Sequence, residues 1–132
     1  MKSLVYDQLY VGRRLKSFTY QVDPEKVREY VNAIGEDWGY YHENQIAPPT
    51  MAAIYTLLAN RTEGPLPPGS IQVSQEFEFL RPTRFGDTLV TIATVSEKYL
   101  RKDRKYVELT AETLNGKKEV VVKAKTVGIW GE

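Results

Sequence analysis

Residues 51–59 (M-A-A-I-Y-T-L-L-A) constrain the fold more than any other stretch of the chain. Thr50 can start a helix there. Met51, Ile54, Tyr55 and Leu58 would share one face. Ala52, Ala53, Leu57 and Ala59 make the other side nearly apolar too. A helix that is apolar almost all round is normally buried, so the rest of the chain has to supply its cover.

Four β-like segments follow and can do so. Ile71, Val73, Phe77 and Phe79 alternate with Gln72, Ser74, Glu76 and Glu78. In residues 88–98, Val90 and Ile92 fall on one face and Leu89, Ala93 and Val95 on the other. Val107, Leu109 and Ala111 alternate with Glu108, Thr110 and Glu112, and Val120, Val122 and Ala124 alternate with Val121, Lys123 and Lys125. A period of two is the mark of a strand with one buried face. Asn115-Gly116 predicts a tight hairpin turn between the last two segments.

Before the apolar segment, residues 1–14 read as a lead-in with a turn at Val11-Gly12-Arg13. Residues 15–22 predict a first strand with Phe18, Tyr20 and Val22 on one side. Asp23-Pro24 predicts a helix start, because Asp caps free N–H groups and Pro suits the first turn. Val27, Tyr30, Val31 and Ile34 recur at helical spacing, and Gly35 closes the helix. Residues 36–49 read as irregular, and 62–69, with two Gly and three Pro, as a loop. The expected class is α+β, a curved antiparallel sheet wrapped around a long central helix.

Composition narrows the function classes. The 132 residues fit one domain (1–132), with a net charge of +1 that offers no field for nucleic acid or an anionic membrane. The absence of cysteine excludes disulfides, thiolate metal sites and cysteine nucleophiles, and no metal is expected. No window approaches the ~20 apolar residues of a membrane span, and the N-terminus lacks a signal-peptide pattern. A cytoplasmic protein is expected.

Three groups of residues carry a family resemblance. Glu36-Asp37-Trp38-Gly39-Tyr40-Tyr41-His42 is similar to the active loop of (R)-specific enoyl-CoA hydratases and MaoC-like dehydratases, roughly E-D-x-N-P-x-H-x-D. Asp and His keep their spacing of five. Gly39-Tyr40 replaces Asn-Pro, and Asn44 replaces the trailing Asp. Arg81-Pro82-Thr83-Arg84-Phe85-Gly86-Asp87-Thr88-Leu89 closely resembles the family's R-P-x-x-x-G-D-T-L turn. Ile46-Ala47-Pro48-Pro49-Thr50 resembles the A-P-P-T segment of FAS1-like dehydratase half-domains, which often pair with a second, catalytic hotdog and can lack the dyad.

The resemblance implies a hotdog fold and a site for an acyl thioester. Hydration of a 2-enoyl thioester needs a base for water, an acid at the α carbon and a donor to the thioester oxygen. His42 and Asp37 are the implied catalytic pair. The donor in the family is a backbone N–H at the start of the central helix. The aligned residue here is Pro49, which has no N–H, so Thr50 or Met51, or a partner subunit, would have to supply it. Losing one such donor costs about 3–4 kcal/mol in the transition state.

Blander readings stand beside these. Asp37 could simply cap local backbone groups. Trp38, Tyr40 and Tyr41 could line an acyl pocket or pack as a lid or at a subunit seam. Ala47, Pro48 and Pro49 could border substrate or only fix the angle of helix entry. Ile54 and Tyr55 could be core or could line an acyl tunnel. The basic cluster 101–105 reads as a solvated hairpin tip, with coenzyme A phosphates or an acidic carrier protein as the alternative.

Three functions remain open at this level. The first is a hydro-lyase of fatty-acid metabolism acting on 2-enoyl or (R)-3-hydroxyacyl groups carried by coenzyme A or acyl carrier protein, without another cofactor. The second is a non-catalytic acyl-binding subunit paired with an active one. The third is an acyl-CoA thioesterase. An exposed sheet edge makes a homodimer, or a heterodimer with a second hotdog subunit, the expected assembly.

Overall fold

Asp23 and Pro24 open the first helix in the computed structural model, which describes residues 2–131. The Asp23 carboxylate accepts from the Glu25 N–H at 2.9 Å, and α1 runs Pro24–Ala33. Val27 and Val31 are its buried pair, and Gly35 follows at φ +75°. Helix α2 spans Trp38–Asn44. A 3-10 turn, Pro49–Met51, leads into α3, Ala52–Ala59. Among the described residues no helix is long and apolar enough to cross a membrane.

The strands are β1 (Phe18–Gln21), β2 (Ile71–Phe79), β3 (Thr88–Arg101), β4 (Arg104–Leu114) and β5 (Val120–Trp130). They form one antiparallel sheet in the order β1-β3-β4-β5-β2. Its inner face carries Leu89, Ala93, Val95, Val107, Leu109, Ala111 and Ala124. The helices cover one end of that face, and the N-terminal residues cover the other. This is the hotdog arrangement.

Several local readings need correction. The strand predicted over 15–22 is interrupted. Leu15 N–H donates to Ala93 O at 2.9 Å, but the regular ladder with β3 holds only from Phe18 to Gln21. The residues before it are more than a lead-in. Leu4, Leu9 and Leu15 belong to the core, and the Trp130 indole N–H donates to Leu4 O at 2.8 Å.

Val73 does not share a face with Phe77. The β2–β5 register shifts between Gln72 and Ser74, leaving Val73 in a bulge at 51% exposure. An extra residue inverts the alternation on either side of it, so Ile71 and Phe77 face opposite ways. The tight turn also lies elsewhere. Asn115 and Gly116 sit in a connection of five residues, where the Asn115 side-chain oxygen accepts from Lys117 and Glu119 N–H. Lys102 and Asp103, both at positive φ, make the two-residue turn between β3 and β4, the geometry that suits strand twist.

Helix α3 is not buried all round. Ala52, Tyr55, Thr56 and Ala59 face the sheet, while Ala53, Ile54, Leu57 and Leu58 are exposed. Hydropathy alone does not tell which apolar face a chain covers by itself and which it leaves open.

Within the sheet, Thr91 and Thr113 share a hydroxyl–hydroxyl hydrogen bond of 2.7 Å, and both are buried. Thr91→Val would leave the Thr113 hydroxyl without its partner, so we expect a loss of about 1–3 kcal/mol. Adding Thr113→Val should recover much of it. Chemical denaturation of the single and double variants checks this.

Candidate active site

Residues 36–49, expected to be irregular, contain the two-turn helix α2. Asp37 is its cap, with the carboxylate accepting from Gly39 N–H at 3.0 Å. The helix ends on Gln45 in the left-handed conformation, at φ 56°. Ile46 N–H then reaches back to Tyr41 O, and Gln45 N–H to His42 O. This is the closing pattern that glycine usually provides. Seven residues that include a glycine and three aromatics make a poor autonomous helix. Tertiary contacts hold it, since Trp38 stacks on Phe85 at 5.8 Å between ring centres.

Phe85 belongs to the R-P-T-R-F-G-D turn, so two of the stretches singled out in the sequence pack against each other. Ala47 N–H donates to Thr83 O, and Phe85 N–H to Gln45 O. Ile46 pairs with Arg84 as an isolated bridge. Gly86 holds φ +87°, and the Asp87 carboxylate accepts from Arg84 N–H at 2.8 Å. This is the turn chemistry expected of both residues.

The turn that starts α3 borders a mostly apolar cavity of about 240 Å3. Ala47, Pro49, Tyr55, Phe79, Arg81 and Val122 are among its walls. Of the residues proposed to contact substrate, Ala47, Pro49 and Tyr55 line it. Pro48 is buried beside them. Trp38, Tyr40, Tyr41 and Ile54 do not line it. Phe79 and Val122 were not anticipated there, because strand alternation identifies an inward face but not what the face borders.

Tyr55 is 3% exposed, and burial pushes its phenol well above the usual range, with Tyr20 adding to the effect. The two rings lie 5.4 Å apart. Tyr55 therefore remains a neutral phenol on the cavity wall at any ordinary pH.

Asp37 and His42 are both exposed in the single chain, and neither lines this cavity. The His42 ring lies 5.6 Å from Trp38. The donors at the α3 entrance are few. Pro49 has none, and Met51 N–H is taken by Pro48 O at 3.1 Å. Among the described residues, Thr50 N–H makes no hydrogen bond. The Thr50 side chain is fixed by Tyr30, whose hydroxyl donates to Thr50 Oγ1 at 2.8 Å and ties α1 to this turn.

The family described as FAS1-like, dehydratase domain region, matches residues 10–124. A UPF0336 protein of Streptomyces griseus is 28% identical, with 93% of each chain covered. Among solved structures, the R-hydratase PhaJ1 from Pseudomonas aeruginosa superposes with a TM-score of 0.81 at 23% identity, covering 98% of this chain and 87% of that one. The MaoC-like dehydratase from Rhodospirillum rubrum gives 0.78 at 26% identity, covering 98% and 99%. The HadBC (3R-hydroxyacyl-ACP dehydratase) complex from Mycobacterium tuberculosis contains a chain that gives 0.71 at 21% identity, covering 90% and 96%. A family match over most of the sequence, joined to this architecture, establishes that the chain belongs to the FAS1-like dehydratase domain family and has the hotdog fold.

Proposed function

We propose that this chain is the acyl-binding subunit of an acyl-thioester hydro-lyase whose site a second hotdog protomer completes. The reaction is reversible addition of water to a 2-enoyl thioester, giving a (R)-3-hydroxyacyl thioester on coenzyme A or acyl carrier protein. A base takes one proton from water, the oxygen bonds to the β carbon, and the α carbon receives a proton.

The α3 entrance carries the reading. An apolar cavity lies against it, yet Pro49 offers no N–H and Met51 N–H is already bonded. One oxygen of the Asp37 carboxylate accepts the α2 cap bond, and the residue is exposed and outside the cavity. An apolar cavity beside an entrance where, among the described residues, Thr50 N–H is the one donor left open supports a chain that binds the acyl group and relies on a partner for part of the charge stabilisation. Family membership supports the reaction class. The similar HadBC chain works in a two-subunit dehydratase, which supports pairing with a second hotdog.

A homodimeric hydro-lyase is the second reading. Asp37 and His42 lie on a single short helix, and among the described residues no hydrogen bond engages the His42 ring. Loss of enoyl absorbance from crotonyl-CoA separates the two. The chain alone is expected to be at least ~100-fold slower than its complex with a co-expressed catalytic hotdog subunit. His42→Ala in this chain should then change the complex's rate by less than about threefold, because an acid–base residue contributes ~10²–10⁴. Full activity of the isolated chain, abolished by His42→Ala or Asp37→Asn, would establish the homodimeric enzyme instead. Release of free thiol from acyl-CoA would establish a thioesterase.

A further inference from the structure

A second, smaller cavity of about 90 Å3 lies at the far end of α3. Leu57 of α3, Asn60 and Arg61 just beyond its end, Thr126 and Trp130 of β5, and Gln72 of β2 are among its walls. Among the described residues, Thr56 Oγ1 on α3 and Asn60 Oδ1 at its C-cap are buried and have no hydrogen-bond partner in the protein. Thr56 is 1% exposed and Asn60 7%. Four residues apart, they stand on one face of the helix.

Asn60 is only weakly engaged. Its side-chain NH2 reaches Thr126 Oγ1 at 3.5 Å, beyond ordinary hydrogen-bond length. Turning the amide over exchanges which end is bonded and leaves the other free. A buried polar group without a partner costs about 1–3 kcal/mol, so few persist without a reason. The neighbouring polar group is occupied, since the Ser70 hydroxyl donates to Pro67 O and accepts from Gly131 N–H. Arg61 and Gln72 also border the space but are exposed, so the Asn60 amide is the buried hydrogen-bonding group on the wall that lacks a full set of partners.

The position relates this cavity to the first. Asn60 follows Pro49 by eleven residues, roughly 17 Å along the 3-10 turn and helix. On β5, Val122 lines the first cavity and Thr126 the second. Ala124 stands midway, with Phe77 as its register partner. Phe77 packs against both core clusters. The two spaces thus lie along the same helix and the same strand.

The geometry points to a substrate class. The Asn60 cavity receives a neutral hydrogen-bonding group, a hydroxyl or carboxamide, at the end of the acyl chain remote from the thioester. This rests on the acyl-thioester reading above. A neutral group fits because the open atom, Asn60 Oδ1, is an acceptor that needs a donor; a carboxylate has none to give, and a cation would meet Arg61 on the same wall. An unsubstituted alkyl end would leave the Asn60 amide unpaired.

Two measurements test the proposal on the full chain. Butyramide carries the polar group without a thioester, and Trp130 on the cavity wall reports its arrival. Titration with butyramide should shift the Trp130 indole N–H resonance, and Asn60→Leu should weaken that binding at least tenfold. A ω-hydroxyacyl-CoA should bind at least tenfold tighter than the unsubstituted chain of equal length, with the order reversed in Asn60→Leu. Thr126→Val, which leaves the amide in place, should keep the preference.

No movement of the indole resonance, or equal affinity for the two thioesters, would overturn the proposal and mean that only water fills the space. If Asn60→Leu does not fold, the wild-type comparison of the two thioesters still decides. Butyramide binding together with no acyl-CoA binding at all would defeat the acyl-thioester reading while leaving the polar pocket standing.

Discussion

Replacing Gly64 with alanine is expected to lower stability by about 3 kcal/mol or more, which is roughly 10 °C in melting temperature for a chain of this size. Two costs add. Gly64 holds φ +136°, a region that residues with a side chain enter only under strain. A Cβ there would also overlap the Lys2 carbonyl oxygen. That oxygen is backbone, pinned because Leu4 N–H donates to Pro65 O at 2.9 Å in the same crossing. Relief would require lifting residues 2–4 from the loop, and with them Leu4, whose carbonyl holds the Trp130 indole. Gly116→Ala is the control, because an added Cβ there meets nothing within 4 Å. It should move the thermal midpoint by no more than a degree or two. Equal effects at the two positions would mean that the Gly64 crossing is not fixed in solution.

Leu58→Asp is expected to weaken association with a second hotdog subunit by at least ~100-fold while leaving the chain folded. Leu58 is 42% exposed beside Ile54 and Leu57 on the open face of α3. A charge there reaches water in the single chain, and surface changes of this kind cost little stability. Covered by a partner, the same charge would be buried without a counter-ion, a cost of several kcal/mol. Sedimentation and circular dichroism separate the two effects. An unchanged assembly would place the partner elsewhere, with the unpaired edge of β2 as the next surface to test.

The sequence was explicit where one residue carries one local rule. Asp23-Pro24 starts α1, Gly35 ends it, and Gly86-Asp87 makes its turn as read. It misled where two elements compete for the same signal. Residues 36–49 lack helical periodicity, yet α2 forms because Phe85, far along the chain, offers Trp38 a stacking surface. The bulge at Val73 could not be read, because alternation is unbroken in the letters and broken only by the register with β5.

The candidate site divides the same way. Asp37 and His42 were singled out by resemblance to a family loop, and the single chain leaves both exposed and outside the cavity, whereas Pro49, singled out in the same way, lines it. Met51 N–H proved to be taken, a fact that depends on the 3-10 turn and not on residue type. Asn60 and Thr56 drew no notice in the sequence, since polar residues at a helix end are ordinary. Packing α3 against β5 buries them.

By itself the sequence determined the order of the strands with α1 and α3, and the inward side of most strands, because those follow from short-range periodicity and from residues with few allowed conformations. Only the tertiary structure decided which apolar faces are covered, which backbone donors stay free and where cavities open. Each of these depends on contacts between residues tens of positions apart, which no local pattern encodes.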